Sequence, residues 1–102
     1  MITLLIRYTI DPRKVQEFET YAQTWPEATK RYGARLVGYY APTKFAGPTN
    51  IAYALIDFPD LTVYESYREA LTRDSEVLQR AGAVESSGCI LVEERSFLRQ
   101  VS

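Results

Sequence analysis

The sequence contains no histidine and a single cysteine, Cys89, in 102 residues. Without histidine, the common structural zinc sites and the Ser-His-Asp or Cys-His nucleophiles cannot be built. One cysteine also cannot form a disulfide within the chain. We therefore predict that the protein holds no metal ion and no cofactor, and we interpret Cys89 as a core thiol at the start of a strand.

An excess of charge of either sign is also lacking, because 12 basic residues are interspersed with 13 acidic ones and the formal net charge is −1. No basic stripe can displace counterions from a phosphate backbone, so nucleic acid is not an expected partner. The apolar runs are of strand length, far below the roughly 20 residues that span a bilayer. With no signal-peptide pattern at the N-terminus, we expect no membrane span and a cytoplasmic location.

The composition that is present is typical of a globular protein, with 46% hydrophobic and 25% charged residues. A chain of this length buries roughly 60–70% of the surface that it exposes when unfolded, which is enough for one core. No linker, internal repeat or low-complexity segment divides the sequence. We therefore predict a single domain over residues 1–102.

Strand and helix signals alternate along the chain. Segments rich in β-branched and aromatic residues predict four strands, at about residues 2–10, 35–43, 49–58 and 89–98. Asp11 and Pro12 are suited to begin a helix that runs to about Tyr32. Pro26 lies inside this helix and should kink or break it, because proline lacks the N–H of the helical ladder.

Two more helices are predicted after the third strand. One begins at residues 59–60 and turns Tyr67 inward. A shorter one is capped at residues 74–75 and ends before Gly82, which we interpret as the start of a loop. The order is then β-α-β-β-α-β, the ferredoxin-like α+β arrangement with a four-stranded antiparallel sheet and both main helices on one face.

Both faces of the predicted sheet are apolar. In the third strand Ile51, Tyr53 and Leu55 alternate with a second apolar set at positions 52, 54, 56 and 58. A sheet with one wet face would alternate apolar with polar residues. Because the helices cover only one face, we predict that a second copy covers the other, in a homodimer that buries about 1,500–2,500 Å².

The segment GYYAPTKFAGPTN, residues 38–50, joins the second and third strands. Its glycine and proline predict a hairpin connection at residues 45–48. It has too few glycines for a phosphate cradle and no helix N-terminus follows it, so a turn is favoured over a binding loop. Tyr39 and Tyr40 point to opposite faces, one toward the helices and one toward the dimer seam. Both are ligand-pocket candidates, with simple aromatic packing as the alternative.

Other ligand-pocket candidates lie on the helices and the first strand. Trp25, next to Pro26, could form a pocket wall where the kinked helix packs unevenly, with core packing as the alternative. Tyr64 and Tyr67 could orient a polar ligand through their hydroxyls, or be buried at a surface or interface. Arg7 lies in an apolar strand, where it could form a structural ion pair at the dimer seam or bind a ligand carboxylate. Its predicted partners are carboxylates on other strands: Asp57, Glu93 and Glu94.

Several groups of residues form an ordered set of short motifs over most of residues 2–98. They are Tyr8-Thr9 with Pro12 and Lys14, Leu36-Val37-Gly38-Tyr39-Tyr40, Gly47-Pro48 with Asn50, and Arg68, Ala70, Leu71 and Asp74. In their order and spacing they resemble the NIPSNAP family, one branch of the dimeric α/β-barrel superfamily. The chain departs from that family at Ile6, where an arginine is frequent, and at Ala54 and Ile56, where a histidine and a tryptophan are frequent.

The resemblance implies that two ferredoxin-like sheets, one from each subunit, close into a dimeric α/β barrel. Animal members of the family are associated with mitochondria and vesicle trafficking. The wider superfamily includes cofactor-free quinol or polyketide monooxygenases, haem-degrading enzymes and small lactone isomerases, whose ligands lie between sheet and helices. That analogy applies at the level of the fold.

Two functions of different classes therefore remain open. The first is a small-molecule binding or interaction module without catalysis, for a small apolar or aromatic ligand, favoured by the missing histidine and the lack of a convergent acid and base. The second is a cofactor-independent monooxygenase or isomerase acting on an aromatic or quinol-like substrate. The residues assigned to positioning or proton relay in that second function are Tyr39, Tyr67, Trp25 and Arg7. Haem breakdown is disfavoured because no histidine can ligate iron.

Overall fold

The computed structural model describes residues 1–102 and contains one four-stranded antiparallel sheet. The strands are β1 (Ile2–Ile10), β2 (Arg35–Tyr40), β3 (Ile51–Phe58) and β4 (Ile90–Arg99). The helices are α1 (Val15–Ala22), α2 (Trp25–Arg31), α3 (Leu61–Thr72) and α4 (Ser75–Glu85), and Pro12–Lys14 forms a 3-10 turn. The spatial order of the strands is β2-β3-β1-β4. The predicted α+β class with a ferredoxin-like antiparallel sheet is confirmed.

The helix predicted over residues 11–32 is divided into pieces. Asp11 caps the 3-10 turn by accepting a hydrogen bond from a backbone N–H of that turn at 2.9 Å. Helix α1 ends at Ala22 and α2 begins at Trp25, because Pro26 has no N–H to donate to the Ala22 carbonyl. The proline therefore breaks the helix completely and places Trp25 at the start of a new one.

The connection between β2 and β3 is longer than predicted. Strand β2 stops at Tyr40 and β3 starts at Ile51, whereas the sequence indicated a short turn at residues 45–48. Pro42 and Pro48 cannot donate to a strand ladder, so strand pairing ends before the first and resumes after the second. The two strands pair antiparallel as the predicted hairpin requires, but the loop of residues 41–50 that connects them is longer than the predicted turn.

Helix α4 is also longer than predicted. The sequence indicated a loop at Gly82, but the helix continues to Glu85. A glycine inside a helix costs only about 1 kcal/mol relative to alanine, and the buried Val77 and Ala81 hold α4 on the core. The chain turns instead at Gly88, whose φ of 78° is a conformation that favours glycine.

One face of the sheet packs against the helices. On this side β1 and β3 bury every second side chain: Leu4, Ile6, Tyr8, Ile10, Ala52, Ala54, Ile56 and Phe58. The helices contribute the largest opposing side chains, Phe18, Tyr21, Tyr67 and Leu71. Removal of this apolar surface from water is the dominant favourable term in the folding of such a domain.

The opposite side of the sheet, called the open face here, is covered by no element of the chain. Its large exposed side chains are Tyr40, Tyr53, Val92 and Leu98, which are 48%, 39%, 49% and 43% exposed. In the strand register Tyr53 is the neighbour of both Tyr40 and Arg7. Arg7 Nη1 in turn donates a hydrogen bond to Glu94 at 2.8 Å. The open face therefore combines apolar side chains with two ion pairs, Arg7–Glu94 near its centre and Arg35–Asp57 between β2 and β3.

Asp74 connects two helices at the surface. At the start of α4 its carboxylate accepts hydrogen bonds from the Val77 backbone N–H at 3.1 Å and from the Tyr32 hydroxyl at 2.5 Å. Arg31 Nη1 donates to the same carboxylate at 3.0 Å. The hydrogen bond from Tyr32, followed by the one from Val77, lowers the pKa of Asp74. Asp74 thereby ties the end of α2 to the start of α4.

We expect Asp74→Ala to lower the Tm by several degrees and Asp74→Asn to lower it less, because asparagine still caps a helix but lacks the charge. Since the folded pKa of Asp74 is lowered, its carboxylate contributes full stability above 3.8, the ordinary value, and loses that contribution as the pH falls through the lower folded value. Thermal unfolding by circular dichroism at neutral and acidic pH measures both effects.

The control variant is Asp60→Ala, which removes only the cap of α3. Equal losses of Tm for Asp74→Ala and Asp74→Asn at neutral pH would contradict the capping role of Asp74. A pH dependence unchanged in Asp74→Asn would contradict the role of its charge.

Candidate functional site

A cavity of about 520 Å³ lies between the helix-facing side of the sheet and the four helices, with Trp25 at the start of α2 in its lining. Its sheet-side lining includes residues of β1 and β4, namely Leu4, Ile6, Tyr8, Ile90, Glu93 and Arg95. Of its 16 lining residues 11 are hydrophobic, so its body suits an apolar molecule. We call it the main cavity.

The main cavity opens toward β4, the edge strand. Every residue of β4 after Ile90 is exposed, and the helices cover this strand only in part, through the contact of Tyr64 on α3 with the Phe97 ring. Even Phe97, which pairs with the buried Leu4 and faces the helix side, stays exposed. Helix packing thus stops short of this edge of the sheet, and the main cavity is the gap that results.

A tyrosine cluster forms the inner wall of the main cavity. The ring centroid of Tyr8 lies 6.1 Å from those of Tyr21 and Tyr39. The hydroxyl oxygens of Tyr8 and Tyr39 are 3.3 Å apart, within hydrogen-bond distance. Burial raises the pKa of Tyr8, Tyr21 and Tyr39 above the ordinary value of 10.0. These phenols are therefore neutral at physiological pH. One O–H of the Tyr8–Tyr39 pair is donated to the other hydroxyl, so that pair has one further O–H to donate.

Trp25 and Tyr67 complete the aromatic lining. The Trp25 ring packs against Tyr21 with 5.7 Å between centroids and 69° between planes. The Trp25 Nε1 atom is buried and has no hydrogen-bond partner. Tyr67 on α3 packs edge-on against Phe58 at 5.1 Å, and burial raises its pKa. Side chains from two separate helices thus add an indole N–H and a further phenol to the tyrosine cluster.

One ion pair faces the main cavity. Glu93 and Arg95 are two positions apart on β4, so their side chains lie on the same face of the sheet. Nε and Nη2 of Arg95 each lie 2.8 Å from Oε2 of Glu93. Because each charge is satisfied by the other, β4 contributes polar groups to the cavity but no net charge.

Three of the predicted pocket residues come together in the main cavity. Trp25 enters it from α2, Tyr39 from β2 and Tyr67 from α3. Tyr39 also lines a smaller cavity of about 350 Å³ that lies beside Phe18 and Pro26. Its ring therefore separates the two cavities.

The other three candidates lie elsewhere. Arg7 and Tyr40 point to the open face, where Arg7 pairs with Glu94, one of its predicted carboxylate partners. The Tyr40 ring folds over Gly38, with its hydroxyl 2.8 Å from the position that a β-carbon there would occupy. Tyr64 is half-buried and packs edge-on against two phenylalanine rings. None of these three side chains lines the main cavity.

The polar lining residues that the sequence did not predict are Tyr8, Tyr21, Arg68, Thr72, Glu85, Glu93 and Arg95. Tyr8 shares the parity of the buried Leu4 and Ile6 in β1, and Tyr21 follows Phe18 by one helical turn. The spacing of both residues therefore indicated that they face the core. Glu93 was predicted only as a partner of Arg7. The alternation of β4 places Glu93 and Arg95 on one face together, which is the signal that could have found this pair.

Other kinds of site are absent from the described residues. No group of three or more histidine, cysteine, aspartate or glutamate side chains comes together to hold a metal ion. Cys89 is buried, and its sulfur lies 3.8 Å from the Val84 carbonyl oxygen. None of the helices combines the length and the apolar character needed to cross a bilayer.

Comparison with known sequences finds one family. A family model described as NIPSNAP matches residues 3–102. The search of curated proteins found no match. The family match thus covers nearly the whole chain, including every residue of the main cavity.

Solved structures share the architecture. An uncharacterized NIPSNAP domain protein from Burkholderia xenovorans is 20% identical, with a TM-score of 0.81 over 100% of this chain and 96% of that one. A NIPSNAP family protein from Agrobacterium tumefaciens is 23% identical, with a TM-score of 0.73 over 96% of this chain and 90% of that one. A candidate antibiotic biosynthesis monooxygenase from Bordetella bronchiseptica is 14% identical, with a TM-score of 0.71 over 99% and 97%. At these identities the likeness establishes a common fold.

Proposed function

The chain belongs to the NIPSNAP family, and from that premise we propose that it is a homodimeric module that binds a small apolar or aromatic molecule in the main cavity. The proposal treats residues 1–102 as one domain and requires neither a metal ion nor a cofactor. A cytoplasmic location stays a prediction from the sequence.

The main cavity is the observation that carries the proposal. Its volume of about 520 Å³ falls within the roughly 300–1,000 Å³ that is usual for small-molecule sites. Such sites combine a mostly apolar lining with a few fixed polar groups. Here the aromatic rings of Trp25, Tyr39 and Tyr67 supply the apolar surface, and their N–H and O–H groups are the polar points.

The open face supports the homodimer. Tyr40, Tyr53, Val92 and Leu98 leave large apolar side chains in water on a surface that no part of the chain covers. The Arg7–Glu94 pair contributes one charge of each sign to that surface, so two copies can meet there without net repulsion. An isologous contact between two open faces would bury these side chains and close the two sheets into a barrel.

A second candidate function, a cofactor-independent monooxygenase or isomerase for an aromatic or quinol-like substrate, is favoured by one observation. Neutral phenols of Tyr8, Tyr39 and Tyr67 line the same cavity that would hold the ring, where they can donate to a substrate oxygen. Arg7 has no place in this reaction because it lies on the open face. Two arginines line the main cavity, and because Arg95 is paired with Glu93, Arg68 takes that position in the scheme.

We expect Tyr53→Glu to convert the dimer into a monomer, because two introduced carboxylates would be buried near the two-fold axis. Sedimentation velocity at micromolar concentration measures the change. Leu61→Glu is the matched control, since Leu61 is 57% exposed on α3, away from the open face, and should leave the dimer intact. A wild-type protein that sediments as a monomer would contradict the homodimer.

We expect naphthoquinone to quench the fluorescence of Trp25, the single tryptophan, on entering the main cavity. Leu78→Glu should weaken this binding roughly fivefold, because the half-exposed Leu78 gives up about 1 kcal/mol of apolar contact. Leu61→Glu is again the control and should bind as the wild type does. Equal affinities of the two variants would argue against the main cavity as the binding site.

For the second function, we expect the protein to consume dioxygen in the presence of hydroquinones and Tyr67→Phe to abolish the uptake while circular dichroism stays unchanged. Tyr64→Phe is the matched control, because Tyr64 lies on the same helix but outside the main cavity. An oxygen electrode and a panel of hydroquinones provide the measurement. No uptake by the wild type would leave the binding module as the function.

A further inference from the structure

Arg68 on α3 is an arginine that forms no ion pair within the chain. The ion pairs of the protein engage other arginines and leave Arg68 out. Its neighbour Glu69 is already paired with Arg73 at 2.7 Å. Arg80 and Arg99 are unpaired as well, but of the three only Arg68 lines the main cavity. A guanidinium stays charged and presents several N–H donors in one plane, so free donors are available at this cavity.

Helix geometry places Arg68 at the mouth of the main cavity. The adjacent Tyr67 and the residue one turn later, Leu71, are buried, whereas Arg68 itself is exposed, and all three line the cavity. An arginine in such a position lays its methylene groups along the apolar surface and keeps its guanidinium in water. A molecule that fills the cavity can therefore meet this guanidinium at the mouth, where its N–H groups are accessible.

The unpaired charges of the lining lie near different parts of the tyrosine cluster. Burial raises the pKa of Tyr21, and the negative charge of Glu85 at the end of α4 raises it further. Burial also raises the pKa of Tyr67, but there the positive charge of Arg68 acts in the opposite direction. An anionic group is thus attracted on the Tyr67 side of the cavity and repelled on the Tyr21 side.

The second guanidinium of the lining, Arg95, is not free. Its Nε and Nη2 atoms each lie 2.8 Å from Oε2 of Glu93. A ligand anion at Arg95 would have to compete with that carboxylate and would lie close to its charge. The capacity of the main cavity to bind an anion therefore resides in Arg68.

We propose that the main cavity takes an aromatic carboxylate, whose ring packs among the tyrosine side chains and whose carboxylate accepts hydrogen bonds from Arg68 at the mouth. The planar fork of a guanidinium matches a carboxylate with two parallel hydrogen bonds. The inference rests on the proposed binding function and specifies its ligand class. It assigns ligand selection to Arg68 and the orientation of the ligand to the repulsion from Glu85.

Two probes of nearly the same shape test the proposal, 2-naphthoate and 2-naphthamide, which are anionic and neutral. Isothermal titration calorimetry should give the wild type an affinity for naphthoate about fivefold higher than for naphthamide, the scale of a charge-assisted hydrogen bond reduced by solvent exposure. Arg68→Gln should remove this preference and leave the affinity for naphthamide nearly unchanged. Arg68→Lys should keep part of it, because the charge remains and the fork is lost.

Arg80→Gln is the matched control. Arg80 is an exposed, unpaired arginine on α4 that does not line the main cavity, so its loss changes the net charge equally. This variant should bind naphthoate as the wild type does. Glu85→Gln should not weaken naphthoate binding, because Glu85 is assigned repulsion. In the wild type, added sodium chloride should weaken the binding of naphthoate but not that of naphthamide, because salt screens exposed charges.

The outcomes separate the ligand class from the binding function. Equal affinities of the wild type for naphthoate and naphthamide, insensitive to salt, would overturn the anionic ligand class and leave the main cavity as a binding site. Equal losses in Arg68→Gln and Arg80→Gln would overturn the role of Arg68, since net charge alone would then explain the preference. If neither probe binds the wild type, the proposed binding function fails and this inference fails with it.

Discussion

Burial of alternate side chains of β1 and β3 beneath the helices is the constraint on which the rest of the structure depends. These two strands form the centre of the sheet, so every other element is placed relative to them. One parity, from Leu4 to Ile10 and from Ala52 to Phe58, is almost fully buried. Once that parity faces the helices, the opposite parity must form the open face, because neighbouring side chains of a strand cannot share a side.

The same constraint explains where the main cavity lies. The helices pack over β1 and β3, and β4 at the edge of the sheet is left largely exposed. Pro26 contributes by ending α1 early, so that the chain re-enters a helix at Trp25 and brings an indole against Tyr21. A continuous helix would have no break at this point. The cavity is thus a consequence of uneven coverage, and its aromatic wall is a consequence of a proline.

Much of the fold could be predicted from local signals. The bounds of β1 coincide with the predicted strand, and Asp11 and Asp60 cap the helical segments that follow β1 and β3. The loop of residues 41–50 and the length of α4 could not, because proline positions and a tolerated glycine act through strand pairing and core packing rather than through propensity.

The candidate site was predictable only in part, for a different reason. Trp25, Tyr39 and Tyr67 could be predicted as pocket residues from the sequence. Large aromatic side chains beside a helix break, or on the helix-facing side of a strand, are expected to be buried between sheet and helices. The alternation of β4 places Glu93 and Arg95 on one face, but which face that is depends on the register of β4 against β1, which includes an irregularity between Thr9 and Ile10. No sequence signal fixes that register, so the polar side of the cavity emerges only in three dimensions.

Strand β4 joins the two surfaces that the proposed function uses. Glu93 and Arg95 face the main cavity, while Val92 and Glu94, between and beside them, face the open side of the sheet. Because β4 is an edge strand held by β1 alone, its position is less constrained than that of the central strands β1 and β3. Any molecule that packs on the open face restrains β4, and with it the ion pair on the cavity side. The proposed ligand binding and the proposed dimer would therefore share a structural element, and linkage requires that each strengthens the other if both favour the same position of β4.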